Sequence, residues 1–177
     1  IDMPSSGLTW AAGTTVAFSG HATDAEDGTE PQARLTWTIR LAHCTETGCH
    51  DHFLSTQSGT ASGSIVAPDH ETPSHLQLQL NATDANGASS SSAIQLEPRG
   101  VSVALRSAPT GVQLSVGTHG ATAAPFAQGW VSGSRVQITA PTTVIRNGLA
   151  YTFAVWSDGG APTHTVAASA ATYTATY

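Results

Sequence analysis

The ten residues His43 to His52, "HCTETGCHDH", contain both cysteines of the chain and three of its eight histidines. Thiols and imidazoles at this density admit four chemistries. A Cys44–Cys49 disulfide would staple a short loop, with Gly48 easing the turn, and suits an oxidising compartment. Its gain in loop-closure entropy is small because the loop is short. A thiolate metal site is the second, since Cys-x4-Cys beside histidine can bind Zn2+, although the usual spacing is tighter and comes with more cysteines. The third is a c-type haem, because "CTETGCH" is a stretched relative of the Cys-x2-Cys-His attachment motif. The polar surroundings offer haem no apolar pocket and disfavour it. Free thiols are the fourth, and a secreted protein rarely keeps them. The disulfide is the preferred reading.

The histidines extend further. Five of the eight, His43, His50, His52, His70 and His75, fall between positions 43 and 75, with Asp51 and Asp69 among them. If "CHDHFL" is a strand, His50 and His52 point to one side, because side chains alternate. Such a pair can offer two imidazoles to one Zn2+ or Cu2+ ion. "PDHETPSH" can return Asp69, His70 or His75 to complete the shell, and His43 adjoins it. Asp51 points to the opposite side and fits poorly. The plainer alternative is that these histidines only bond backbone groups around a polar loop. If metal is bound, bracing is expected rather than catalysis, since no nucleophile or general acid accompanies the cluster.

The elements that must position these groups read as strands. Short alternating runs recur, separated by Gly, Pro, Asn and Asp clusters, as in an antiparallel β-sandwich. In "RLTWTIRLAH", Leu35, Trp37, Ile39 and Leu41 share one face while Arg34, Thr36, Thr38 and Arg40 share the other. "HLQLQLNATD" likewise puts Leu76, Leu78 and Leu80 inward and Gln77 and Gln79 outward. A seam near "LEPRGVS" predicts two all-β domains, 1–98 and 99–177. Both are β-sandwiches, the first immunoglobulin/PKD-like with a histidine-rich insert and the second smaller.

Composition limits the partners. The 177 residues carry no lysine, six arginines and twelve acids, a net charge of −6. No basic stripe exists to neutralise phosphates, so neither nucleic acid nor an anionic membrane is an expected partner. No apolar run approaches a membrane span. The opening "IDMPSSGLTW" reads like the middle of a longer polypeptide, and the Thr/Ser/Ala/Gly-rich composition fits a secreted product. Asn81-Ala-Thr83 is a glycosylation sequon, a triplet short enough to arise by chance.

"HATDAEDG" (21–28) and "NATDANG" (81–87) echo one another. Aspartate at a strand end before a Gly turn commonly caps its own loop. The same geometry can bring Asp24, Asp27 and Asp84 to one pole, where oxygen ligands would suit Ca2+. Turns without an ion are the plainer expectation.

With "FSGHATDAEDG", "LTWTIRL" and "LQLNATDANG" in view, residues 1–98 resemble a PKD-type or other immunoglobulin-like module. They depart from the PKD pattern in the insert from His43 to His75 and lack the usual Gly-Asp-Gly after the Trp strand. Residues 126–177 are similar to small β-repeat units ending in "WSDGG" and "YTATY". Together with "APDHETPSHLQLQL" and "WSDGGAPTHT", the arrangement resembles the C-terminal region of secreted bacterial glucose/sorbosone-type sugar dehydrogenases and other carbohydrate-active enzymes. That resemblance implies a non-catalytic accessory module attached to an enzyme domain, with a polysaccharide or oligosaccharide as ligand.

Sugar binding needs aromatic faces beside polar groups. Trp37 lies in a central strand and is expected in the core. Trp10 and Trp130 sit near turns and are the expected exposed pair. Trp156, with Asp158 after it, is a further candidate contact. No Gly-x-Ser-x-Gly elbow, paired carboxylates or phosphate loop is present, and no catalytic constellation emerges. Carbohydrate binding is the leading expectation. The alternatives are a metal-stabilised structural or protein-interaction module and, below these, a haem or copper electron-transfer domain.

Overall fold

A computed structural model describes residues 1–26, 28–45 and 48–177; Asp27, Glu46 and Thr47 lie outside the described residues. The chain divides into two compact units, Ile1–Arg99 and Gly100–Tyr177. Both are built from strands, with no α-helix among the described residues.

The first unit contains β1 (Thr15–Ser19), β2 (Thr23–Asp24), β3 (Gly28–Thr29), β4 (Leu35–Thr45), β5 (Gly48–Ser58), β6 (Ser62–Val66), β7 (Ser74–Thr83) and β8 (Ser89–Leu96). A four-stranded antiparallel sheet runs in the order β5-β4-β7-β8, and β1 pairs separately with β6. Alternation along β4 and β7 creates the core. Trp37 pairs with Leu80, Ile39 with Leu78 and Leu41 with Leu76, and all six are buried. Burying each such aliphatic side chain stabilises the fold by about 1.5–3 kcal/mol. Phe18 of β1 closes this layer, its ring 4.6 Å from that of Trp37. The next inward position on β4 after Leu41 is His43, opposite Ser74 of β7.

The histidine-rich stretch is itself folded into this sheet rather than set apart as a loop. β5 is the sheet edge, and its first six residues, Gly48 to Phe53, are all exposed. Between Ile39 and Arg40 the β4–β5 register shifts, so that Ile39 faces Ser55 whereas Arg40 faces Phe53. Leu54 is the unmatched residue of this bulge. It changes which parity of β5 faces the core side, from Ser55 and Gln57 to His52 and His50. Phe53 is turned outward and stays 64% exposed.

The second unit contains β9 (Gly100–Ala108), β10 (Gln113–Val116), β11 (His119–Ala123), β12 (Phe126–Val131), β13 (Arg135–Thr139), β14 (Thr143–Arg146), β15 (Leu149–Thr152), β16 (Val155–Trp156), β17 (Thr163–Ala167) and β18 (Ala171–Thr176). Its two four-stranded sheets run β11-β10-β13-β17 and β12-β9-β18-β16. Val103, Leu105, Leu114, Val136, Ile138 and Trp156 fill the core they share. β14 and β15 form a hairpin whose Asn147 and Gly148 have φ of 50° and 77°, as a two-residue turn of this twist requires. β18 pairs with β9 in parallel.

Candidate metal centre

The β4–β5 ladder sets His43 opposite His50 and, two rows along, Leu41 opposite His52. His43, His50 and His52 therefore project from one face of the sheet. The segment between β6 and β7 supplies His70, whose ring lies 4.5 Å from that of His43 and 5.2 Å from that of His52. One ring nitrogen each of His43, His52 and His70 falls within a span of 4.8 Å. Among the described residues no other group of three such ligands comes this close. In a tetrahedral Zn2+ site adjacent nitrogens stand about 3.4 Å apart, given ordinary Zn–N bonds. Small side-chain rotations would therefore close the group on an ion. The His50 ring lies 5.2 Å from His43 and 4.7 Å from His52, at the margin of the group.

His43 is 6% exposed, whereas His52 is open to solvent. Burial lowers the pKa of His43 below the ordinary histidine value. The neighbouring His70, His50 and His52 lower it further, and the Glu71 carboxylate opposes them. A neutral imidazole is the form that binds metal. The Glu71 Oε1 lies 3.6 Å from His43 Nε2. Glu71 therefore belongs to the surroundings of the site, and sequence reasoning missed it. Its signal was adjacency to His70.

The disulfide is formed between Cys44 and Cys49, with a Cα–Cα distance of 4.0 Å. Both sulfurs are thereby removed from thiolate metal binding and from thioether attachment of haem. Alternation places them on the opposite face of the hairpin from His43 and His50.

His75 and Asp69 are not brought into the group. His75 shares the outward face with Gln77 and Gln79, where its Nδ1 stands 3.6 Å from Glu97 Oε1. Asp69 is exposed.

At the other end of the sheet Asp24 and Asp84 line one cavity of about 190 Å3 together with Glu30. The Asp84 Oδ1 accepts the amides of Asn86 and Ala88, both at 2.8 Å. The Asp24 Oδ1 accepts that of Glu26, also at 2.8 Å. These are Asx-turn bonds, in which each aspartate caps the loop that follows it. Asp27, the third expected calcium ligand, lies outside the described residues.

The expected exposed tryptophans are buried. Trp10 is 1% exposed and donates its Nε1–H to the Leu96 carbonyl at 2.9 Å. Trp130, at 7%, packs into the second unit's core over Gly117. Trp156 is also buried and donates to the Pro162 carbonyl at 3.1 Å. The large apolar area of an indole outweighs its position beside a turn. Asp158 instead braces the turn after Trp156. Its Oδ2 meets His164 Nε2 at 2.8 Å and its Oδ1 accepts the Gly160 amide at 3.2 Å, while His164 Nδ1 lies 2.8 Å from the Ala161 carbonyl. No helix of the described chain is long and apolar enough to cross a membrane. Comparison with protein-family models, curated proteins and solved structures finds no match to this chain.

Proposed function

We propose that the unit Ile1–Arg99 binds a divalent transition-metal ion, Zn2+ or Cu2+, through His43, His52 and His70. The single observation that carries this is the approach of three imidazole nitrogens within 4.8 Å. An all-nitrogen donor set suits either ion. Three protein ligands leave a fourth position, which catalytic zinc sites keep open. His50, at the margin of the group, is the nearest further imidazole on the β5 side, and no nucleophile or general acid accompanies the cluster, which favours a bracing centre. The ion would tie β4, the edge strand β5 and the segment before β7 to one point. In this reading the chain is a non-catalytic module of a secreted protein, with its metal serving stability or the presentation of a surface. Carbohydrate binding has less support, because Trp10, Trp130 and Trp156 are all buried.

The test is titration calorimetry on chelator-stripped protein with ZnCl2 and CuCl2, together with thermal melting. Binding to the native state alone should stabilise it by about 2.7 kcal/mol at a free-ion concentration one hundred times Kd. EDTA should reverse the gain. Absence of heat and of any melting shift with both ions would overturn the proposal.

A further inference from the structure

The disulfide and the histidines occupy neighbouring rows of one ladder. Cys44 faces Cys49, and the adjoining row is His43 facing His50. The Cys44 amide also donates to the Pro73 carbonyl at 3.3 Å, which fastens the segment that carries His70. The sulfurs project away from the imidazoles, so the bond acts on them through the backbone alone. It adds to the backbone ladder that pairs this half of β5 with β4, where core packing contributes little. Gly48 through Phe53 bury no side chain, and the strand is a sheet edge. Among the described residues the Cys44–Cys49 bond is the one covalent side-chain link between β4 and β5, and it adjoins the row of His43 and His50.

We propose that this disulfide is a redox control on the metal centre, an inference that rests on the metal reading above. Oxidised, it holds the ligand rows in register and the ion binds. A low-molecular-weight thiol such as glutathione would reverse this. Two glutathione thiols surrender two protons and two electrons and join as glutathione disulfide, while the Cys44–Cys49 bond opens to two cysteine thiols. The edge strand then keeps only its backbone ladder beside the histidine rows, and metal affinity falls. Linkage is reciprocal, so bound metal must protect the disulfide from reduction by the same factor.

The test compares ZnCl2 affinity of the oxidised full chain with that of a Cys44→Ser/Cys49→Ser double variant. Binding by the variant should be roughly tenfold or more weaker, within the usual range of coupling between sites. A glutathione redox titration of the wild-type chain, read by thiol alkylation and mass, supplies the reciprocal measurement without any variant. Saturating ZnCl2 should shift its midpoint toward the oxidised form, and His70→Ala should abolish that shift. Equal or tighter zinc binding by the thiol-free variant, or a midpoint indifferent to zinc, would overturn the redox control while leaving the metal centre standing. No binding by the oxidised wild type would remove the metal reading and this inference with it.

Discussion

His43 on β4 lies directly opposite His50 on β5, although only His43 belongs to the buried stripe of the sheet. The bulge at Leu54 divides β5, which presents even-numbered residues to that face on the His50 side and odd-numbered ones on the Ser55 side. Half of the cluster is thus held by the core and half by an exposed edge.

The bulge absorbs one residue without altering the pairs on either side of it. Deleting Leu54 should therefore leave His50 and His52 facing β4 and keep zinc affinity within about threefold of wild type, since only a register slip would turn the face. Calorimetry on the deletion variant measures this. A complete loss of binding in a folded chain would show that β5 pairing does not position the histidines.

His70 and His75 sit five positions apart but on different sides of the structure. His70→Ala should weaken zinc binding by roughly a hundredfold or more through loss of a ligand, and His75→Ala should leave it unchanged. A chelator competition assay on both variants separates them, and the reverse ranking would refute the ligand set.

Trp10 ties the segment before β1 to the end of β8 by its indole N–H. Trp10→Phe keeps an aromatic ring but strands the Leu96 carbonyl, at a cost of about 1–3 kcal/mol. Urea denaturation should show that loss. An exposed, sugar-facing Trp10 would show none.

In the second unit, burial alone would raise the Asp158 pKa, but the His164 and Gly160 hydrogen bonds and the His164 charge outweigh it and hold the carboxyl below its ordinary value. A depressed folded pKa contributes stability above the unfolded value, about 3.8, that is lost as pH falls through the folded value. Asp158→Asn should therefore lower the melting temperature at pH 7 and narrow the gap to wild type on acidification below pH 4. A constant gap across that window would contradict the hydrogen-bonded role of the Asp158 carboxylate.

Much of this architecture was legible in the sequence. Strict alternation in "RLTWTIRL" and "HLQLQL" marked β4 and β7 and their buried faces, because one-sided burial leaves a period of two. The same alternation runs into the histidine-rich stretch. Extended past Leu41 it puts His43 on the core face, and extended back from Leu76 it puts His75 outside with Gln77. The bulge was not legible, since nothing in "HFLSTQ" announces an unmatched residue; it arises from pairing with β4. Burial of Trp10 and Trp130 was equally hidden, because it depends on partners remote in the chain, Leu96 in one case and Gly117 in the other. The Asp158–His164 pair spans a turn whose geometry fixes it, and composition gave no sign of it.

The parallel pairing of β9 with β18 has a mechanical consequence. The first and last strands of the second unit lie side by side through six registered pairs, Ala171–Val103 to Thr176–Ala108. Tension applied between Gly100 and Tyr177 would pull these strands along their length in opposite directions. The backbone bonds joining them would then be strained together in shear instead of opening one by one like a zip. Of the ways this unit can be stretched, pulling from its own two ends meets the resistance of the whole seam at once.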